Sequence, residues 1–205
     1  MTNDGFSPFY PTKKHVQRLA RVLATAFMDN PIYRAMIPSD VKRNGRLHVL
    51  FEFMVTYTLK YGILVATSEA LEGAMLALDW EKGRISPWRM LRCGALRILF
   101  SFGFDFMRRQ SIIGKVLDEM HVALPPAMHT YLWNIAVDPV HQGKGFGGTL
   151  IRYLQSILSE QHRPCYLETA KPENVELYKY LGFRVAGTRY IDSMGITATG
   201  MLWEG

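Results

Sequence analysis

The sequence predicts an α/β fold, a mixed antiparallel and parallel sheet flanked by helices. Three observations point to it. Apolar residues recur at helical spacing in the first third of the chain. Two strand-like runs around a turn follow. The last third alternates strand, helix, strand and helix before two closing strands. A chain of 205 residues suits a single domain, 1–205, large enough to bury a substantial core.

Within residues 13–28, Val16, Leu19, Ala20, Leu23 and Phe27 fall on one helical face. Asn30-Pro31 ends that helix. Residues 42–60 read as a second helix with a broad apolar face. Residues 62–66 and 72–80 read as an antiparallel hairpin around a turn at 67–71. Ser86-Pro87 opens a helical region that runs, with glycine interruptions, to about Val122, and Leu124-Pro125-Pro126 breaks it. A strand at 131–137, a helix at 147–161, a strand at 165–169, a helix at 172–181 and strands at 183–190 and 196–203 complete the order.

The composition, 48% hydrophobic and 20% charged, is ordinary for a globular chain. Residues 1–5 lack a basic and then an apolar region, which predicts no signal peptide. The apolar stretch 49–65 carries Glu52 and Lys60, so no membrane span and no membrane partner is expected. Cys93 and Cys165 have no metal-ligand spacing around them. They predict buried free thiols, no metal and a cytoplasmic setting. The net charge of +6 would tolerate nucleic acid. No basic stripe interleaves with aromatics in a nucleic-acid motif, however, so no such partner is expected. The charge serves solubility or a polyanionic ligand.

The most informative run is 137–150, where Gly143, Gly145, Gly147 and Gly148 lie between a strand and a helix. Glycines there leave backbone N–H groups open to an anion, and the helix N-terminus adds about half a positive charge. The combination is a pyrophosphate cradle. A Walker A loop needs Ser or Thr after its lysine to reach magnesium, and Lys144 is followed by Gly145. Gly143, Gly145 and Gly148 do match the dinucleotide fingerprint, with Glu168 about 20 residues further on. Too little chain remains after Gly148 for a doubly wound sheet, and the segments after Glu168 do not repeat βαβ units. A nicotinamide-dependent oxidoreductase therefore stays as the weaker alternative.

The string Gln142-Gly143-Lys144-Gly145-Phe146-Gly147 resembles the Q/R-x-x-G-x-G/A signature of the GCN5-related N-acetyltransferases (GNAT), in which the pyrophosphate belongs to coenzyme A. Ile135-Ala136-Val137-Asp138-Pro139 looks like that family's fourth strand and its exit, and Tyr166-Leu167-Glu168-Thr169 like its fifth. Asn174, Tyr178 and Gly182-Phe183 match the spacing of its N-x-x-x-Y-x-x-x-G-F helix and turn. The likeness is specific over 131–184 and only topological upstream. It implies a GNAT-like fold with a helical insertion, 81–129, between the third and fourth strands. That insertion carries Arg84, Arg89, Arg92, Arg97, Arg108 and Arg109 among large apolar residues. It reads equally as a wall of the acceptor site or as a packing layer.

The resemblance also implies roles. Acetyl-coenzyme A would be the cosubstrate, held by Gln142, Gly143, Lys144, Gly145, Phe146, Gly147, Gly148 and Asn174, with the backbone of Ile135, Ala136 and Val137 along the pantetheine and thioester. Tyr178 would return a proton to the leaving thiolate. Glu168 is the first candidate for the base and His129 the next, with His121 beside it; water alone is a further option. Relatives often carry Asn seven residues before the tyrosine, where this chain has Lys171. The activity implied is direct acetyl transfer to a primary amine, of a small molecule first and of a protein or peptide second. A non-catalytic coenzyme A-binding module remains an alternative, and dimerisation is common among similar proteins.

Overall fold

The computed structural model describes residues 6–79 and 86–205. The readings placed on residues 1–5, on Trp80 and on Arg84 lie outside the described residues. A six-stranded sheet forms from β1 (Ile63–Ala66), β2 (Gly73–Asp79), β3 (Thr130–Val137), β4 (Cys165–Thr169), β5 (Arg184–Ile191) and β6 (Ile196–Trp203). Its spatial order is β1-β2-β3-β4-β6-β5. Among the described residues only the β3–β4 pair is parallel, and the other strand pairs are antiparallel. Phe9 adds a single antiparallel bridge to Ala66. Counting that bridge as a strand makes β2 and β3 the third and fourth, the pair between which the insertion was expected.

Strand alternation sends side chains to two faces, and each face has its own core. Ala74, Leu76 and Leu78 of β2 pack into one cluster while Met75 and Ala77 pack into the other. The first cluster is covered by α1 (Val16–Ala26), α2 (Pro31–Met36), α3 (Asp40–Tyr61), α4 (Pro87–Arg92) and α5 (Ala95–Ala123). The second is covered by α6 (Phe146–Glu160) and α7 (Pro172–Tyr180). A strand buried on both faces must be apolar at every position, and β2 is, up to Asp79.

Two boundaries depart from expectation for local reasons, at Pro31 and at the start of α6, while the glycine interruptions expected over 86–122 are present. Pro31, read as a terminator, also opens α2: the Asn30 side chain accepts from the Ile32 N–H at 3.0 Å, and proline suits the first helical position. The 86–122 region breaks where Gly94 (φ 92°) and Gly103 (φ 73°) turn left-handed, whereas Gly114 stays helical. Of the four cradle glycines only Gly143 and Gly145 lie in the loop, because α6 starts at Phe146. Among the described residues no helix is long and apolar enough to cross a membrane, and no cluster of three or more His, Cys, Asp or Glu is placed to hold a metal.

Candidate active site

The site begins where the sheet opens. β3 and β4 pair at Thr130↔Cys165 and Tyr131↔Tyr166 and then separate. From Leu132 onward the edge of β3 that faces β4 has no strand partner among the described residues, while Ile135, Ala136 and Val137 stay paired on the other edge with Met75, Ala74 and Gly73. The β2–β3 register also slips between Leu76, opposite Asn134, and Ala77, opposite Leu132, leaving Trp133 as an extra residue. The bulge turns Trp133 and Asn134 toward the same face. Trp133 packs on the α3 side, 5.9 Å from the Tyr57 ring, and Asn134 accepts from the Tyr33 hydroxyl at 3.1 Å.

The glycine loop continues from the open edge. Asp138 caps a short 3-10 turn by accepting from the Val140 N–H at 3.1 Å, and Gln142 donates to the Val137 carbonyl at 3.1 Å. The Gln142 side chain thus ties loop to strand. Gly143 (φ 75°) and Gly145 (φ 85°) then bring the chain to the α6 N-terminus, and a Cβ on either would meet open space. These glycines are required by backbone conformation, and the space beside them is open. The N–H groups of the first helical turn at Phe146, Gly147 and Gly148 have no intrahelical partner. Cations surround them. Lys144 Nζ lies 3.3 Å from His141 Nδ1, and the Arg152 guanidinium reaches back to within 3.1 Å of where a Gly148 Cβ would be. Arg152 was not singled out from sequence. Its signal was available in its position four residues after Gly148, on the face over the helix start.

Tyr178 reaches the opening from the α6–α7 face. Its helix ends in a Schellman turn: the Phe183 N–H bonds the Tyr178 carbonyl at 2.9 Å and the Gly182 N–H bonds the Lys179 carbonyl at 2.9 Å. Gly182 takes φ 85°, and the Phe183 ring lies 5.6 Å from the Tyr178 ring. The Gly-Phe pair therefore sets where Tyr178 stands. Burial pushes the Tyr178 phenol above its ordinary range, so it stays protonated. At the start of the same helix the Asn174 amide lies 3.4 Å from the Thr169 hydroxyl, and Lys171 occupies the N-cap position without a side-chain cap.

Glu168 approaches from the other face. Leu167 belongs to the α6–α7 cluster, so alternation turns Glu168 toward α5. Its side chain is 3% exposed, and burial pushes its carboxyl up to about 7. The Tyr131 and Tyr166 phenols lie close enough to favour the ionised form, yet Oε1 has no hydrogen-bond partner among the described residues. His121 Nδ1 stands 3.8 Å from that oxygen. His121 Nε2 meets His129 Nε2 at 2.8 Å, and His129 Nδ1 meets the Pro126 carbonyl at 2.6 Å. A carbonyl only accepts, so His129 Nδ1 carries hydrogen and its Nε2 is a lone pair. His121 must then donate from Nε2 and present a bare Nδ1 to Glu168. Burial, reinforced by His129, holds His121 down to about 3, and burial likewise lowers His129. His129 is thus brought near Glu168 only through His121.

A cavity of about 760 Å³ runs through the opening and touches Ile135, Glu168, Thr169, Asn174 and Tyr178 together. Its outer wall comes from α2, α3 and α5. Among the described residues the arginines of the insertion do not line it: Arg89 lies over the Tyr61 ring at 4.9 Å, Arg97 pairs with Glu52 at 2.6 Å, and Arg109 pairs with Asp105 at 2.9 Å. Apolar residues of α4 and α5 line it instead. Cys93 and Cys165 are buried free thiols, and burial drives Cys165 up to about 12, which removes it as a nucleophile.

Residues 108–185 match the family model described as acetyltransferase (GNAT) domain. An uncharacterised N-acetyltransferase of Schizosaccharomyces pombe is 22% identical over 178 residues, covering 83% of this chain and 71% of that protein. Among solved structures, arylalkylamine N-acetyltransferase 2 of Aedes aegypti superposes with a TM-score of 0.70 at 17% identity, over 96% of this chain and 97% of that one. A Corynebacterium glutamicum protein described as a histone acetyltransferase and related acetyltransferase gives 0.69 at 20% identity, over 96% and 94%. The polyamine N-acetyltransferase of Drosophila melanogaster gives 0.62 at 14% identity, over 97% and 99%. At such identities the superpositions establish the fold, with its mixed six-stranded sheet.

Proposed function

We propose that this chain is a GNAT N-acetyltransferase, and that it moves an acetyl group from acetyl-coenzyme A directly to a primary amine of a small molecule. One observation carries the reading: a carboxyl, Glu168, and a phenol, Tyr178, enter one cavity from opposite faces of the sheet, at the place where β3 and β4 part. Two substrates that meet from opposite sides need a base on one side and an acid on the other.

The cradle fits the cosubstrate. Open space at Gly143 and Gly145, the free N–H groups of the first α6 turn, and Lys144, His141 and Arg152 around them suit a pyrophosphate. Gln142 shapes the loop, and Asn174 stands at the opening. The unpaired edge of β3 at Ile135, Ala136 and Val137 offers main-chain groups to the pantetheine and thioester. Glu168 takes one proton from the ammonium, and His121 Nδ1 steadies that proton once it is there. The neutral amine attacks the thioester carbonyl, the C–N bond forms and the C–S bond breaks. Tyr178 gives its proton to the leaving thiolate, the acylated nitrogen sheds its second proton through solvent to restore the phenol, and Glu168 returns the first proton to solvent, so the products are the N-acetylamine, the free thiol and one proton.

The test is thermal stabilisation by acetyl-coenzyme A against NAD and ATP, followed by thiol release with a panel of amines. Selective stabilisation by acetyl-coenzyme A and amine-dependent thiol release are expected. Tyr178→Phe is expected to keep the stabilisation and lose about 10²–10⁴-fold in turnover. Stabilisation by NAD alone would return the site to the dinucleotide reading. Binding without thiol release for any amine would make the chain a coenzyme A-binding module.

A further inference from the structure

We infer that the acceptor is a lipophilic monoamine: one primary ammonium on an aromatic or long aliphatic body, with no carboxylate and no second charge. The inference rests on the transferase reading above and deepens it. The cavity is polar at one end and apolar at the other. Glu168, His121 and Tyr131 form the polar end, with the Tyr131 ring 4.3 Å from His121. Asp118 stands one helical turn before His121 on α5, close enough for its charge to act on Glu168. Met107, Gln110, Gly114, Asp118 and Val122 line both the cavity and a shallow depression outside it, so this stretch of α5 is the rim of the entrance.

Beyond that end the uncharged polar groups are Asn30, which caps α2, and Tyr33 and Asn134, which bond each other, and the apolar wall is Phe53, Met54, Phe106, Ile113, Leu117 and Trp133. The wall side chains come from α3, α5 and the β3 bulge, and they offer no polar atom except the Trp133 N–H and the Met54 sulfur. Among the described lining residues no Lys or Arg is present, and His121 is held neutral by burial, reinforced by His129. A carboxylate on the acceptor would lose its water, gain no cation and meet Glu168 and Asp118. Glu168 and Asp118 stand at the same end, so the second ammonium of a diamine that extends away from them would lie against the apolar wall without a counter-charge. A hydrocarbon body gains from the same wall with each methylene it buries.

The experiment measures kcat/KM by thiol release with the full chain, at saturating acetyl-coenzyme A. The acceptors are 2-phenylethylamine, phenylalanine, putrescine and the n-alkylamines from propylamine to hexylamine. The alkylamines are expected to improve about fourfold per methylene, the factor that ~0.8 kcal/mol corresponds to. 2-Phenylethylamine is expected to exceed phenylalanine and putrescine at least about 100-fold. Leu117→Asp, which places a carboxylate on the half-buried wall, is expected to shift the ratio of putrescine to hexylamine upward at least about tenfold, with stabilisation by acetyl-coenzyme A confirming the fold. A flat alkylamine series, or a preference for putrescine or phenylalanine, would overturn the inference and leave the transferase reading standing. Thiol release with no amine at all would overturn both.

Discussion

The two faces of the sheet solve different problems. On the α6–α7 face, function is written in backbone: two left-handed glycines, a helix N-terminus and a Schellman turn. On the α1–α5 face it is written in side chains gathered from distant segments, Phe53 and Met54 from α3, Ile113 and His121 from α5, and Trp133 from β3. A ligand of constant chemistry can be met by fixed main-chain geometry. A ligand that differs from one enzyme to the next must be met by side chains, which can change without disturbing the fold. On the proposed reading the cofactor half is therefore short-range in sequence and the acceptor half long-range.

The largest effect that would sharpen this contrast is at the proton. Glu168→Gln is expected to lower kcat by about 10²–10⁴-fold at neutral pH while leaving acetyl-coenzyme A binding intact. In the parent enzyme kcat/KM is expected to rise with pH through about 7, as Glu168 ionises. An unchanged turnover would hand the base to water.

Next comes the pH dependence of stability. Glu168 titrates at about 7 when folded against an ordinary 4.5, so between these values the folded state holds the extra proton. Its contribution falls as pH rises, by about 3 kcal/mol across the window. His121 is held at about 3 against an ordinary 6.5. There the unfolded chain holds the extra proton, and stability rises with pH. His129, also lowered, adds in the same sense. Glu168→Gln should steepen the rise of Tm between about pH 4.5 and 6.5, and His121→Asn should flatten it. Equal slopes in the two variants would mean that these groups do not titrate as a buried cluster.

Smaller effects separate the halves directly. Gly145→Ala forces a β-carbon into a left-handed position at a cost of about 1–2 kcal/mol. It should raise the KM for acetyl-coenzyme A about tenfold and leave the rank order of amines alone. A changed rank order would break the division between faces. Smallest is Lys144→Ala, at an exposed cation. A few-fold weaker affinity for acetyl-coenzyme A is expected at low salt, vanishing as ionic strength rises, since exposed charges are screened.

The same division explains what could be read from the chain alone. Residues 142–148 and the Tyr178–Phe183 turn were legible because each is one local unit with its own spacing. Most elements were legible by period, to within a few residues. Glu168 was legible as a position but not as a chemical state, because that state depends on His121, which comes from another element of the fold. His129 read as a group at the approach to β3, and the structure makes it the partner of His121 rather than of Glu168. The insertion 81–129 read equally as an acceptor wall or a packing layer, and of its arginines Arg89, Arg97, Arg108 and Arg109 go to the Tyr61 ring, Glu52 and Asp105, where their charges are not buried in an apolar cavity. Pro31 misled because a proline that stops one helix is equally suited to start the next.

The extra residue at Trp133 has a consequence for how such a site changes over generations. Downstream of it, Ile135↔Met75 and Ala136↔Ala74 are paired, and upstream Leu132↔Ala77 is paired too. Losing or gaining one residue at that point would alter the wall that meets the amine while both flanks kept their partners. Elsewhere in β3 a single-codon deletion would invert the strand and destroy both cores. The bulge is thus a seam in the gene as well as in the sheet, where an insertion or deletion becomes a change of diet rather than a loss of fold.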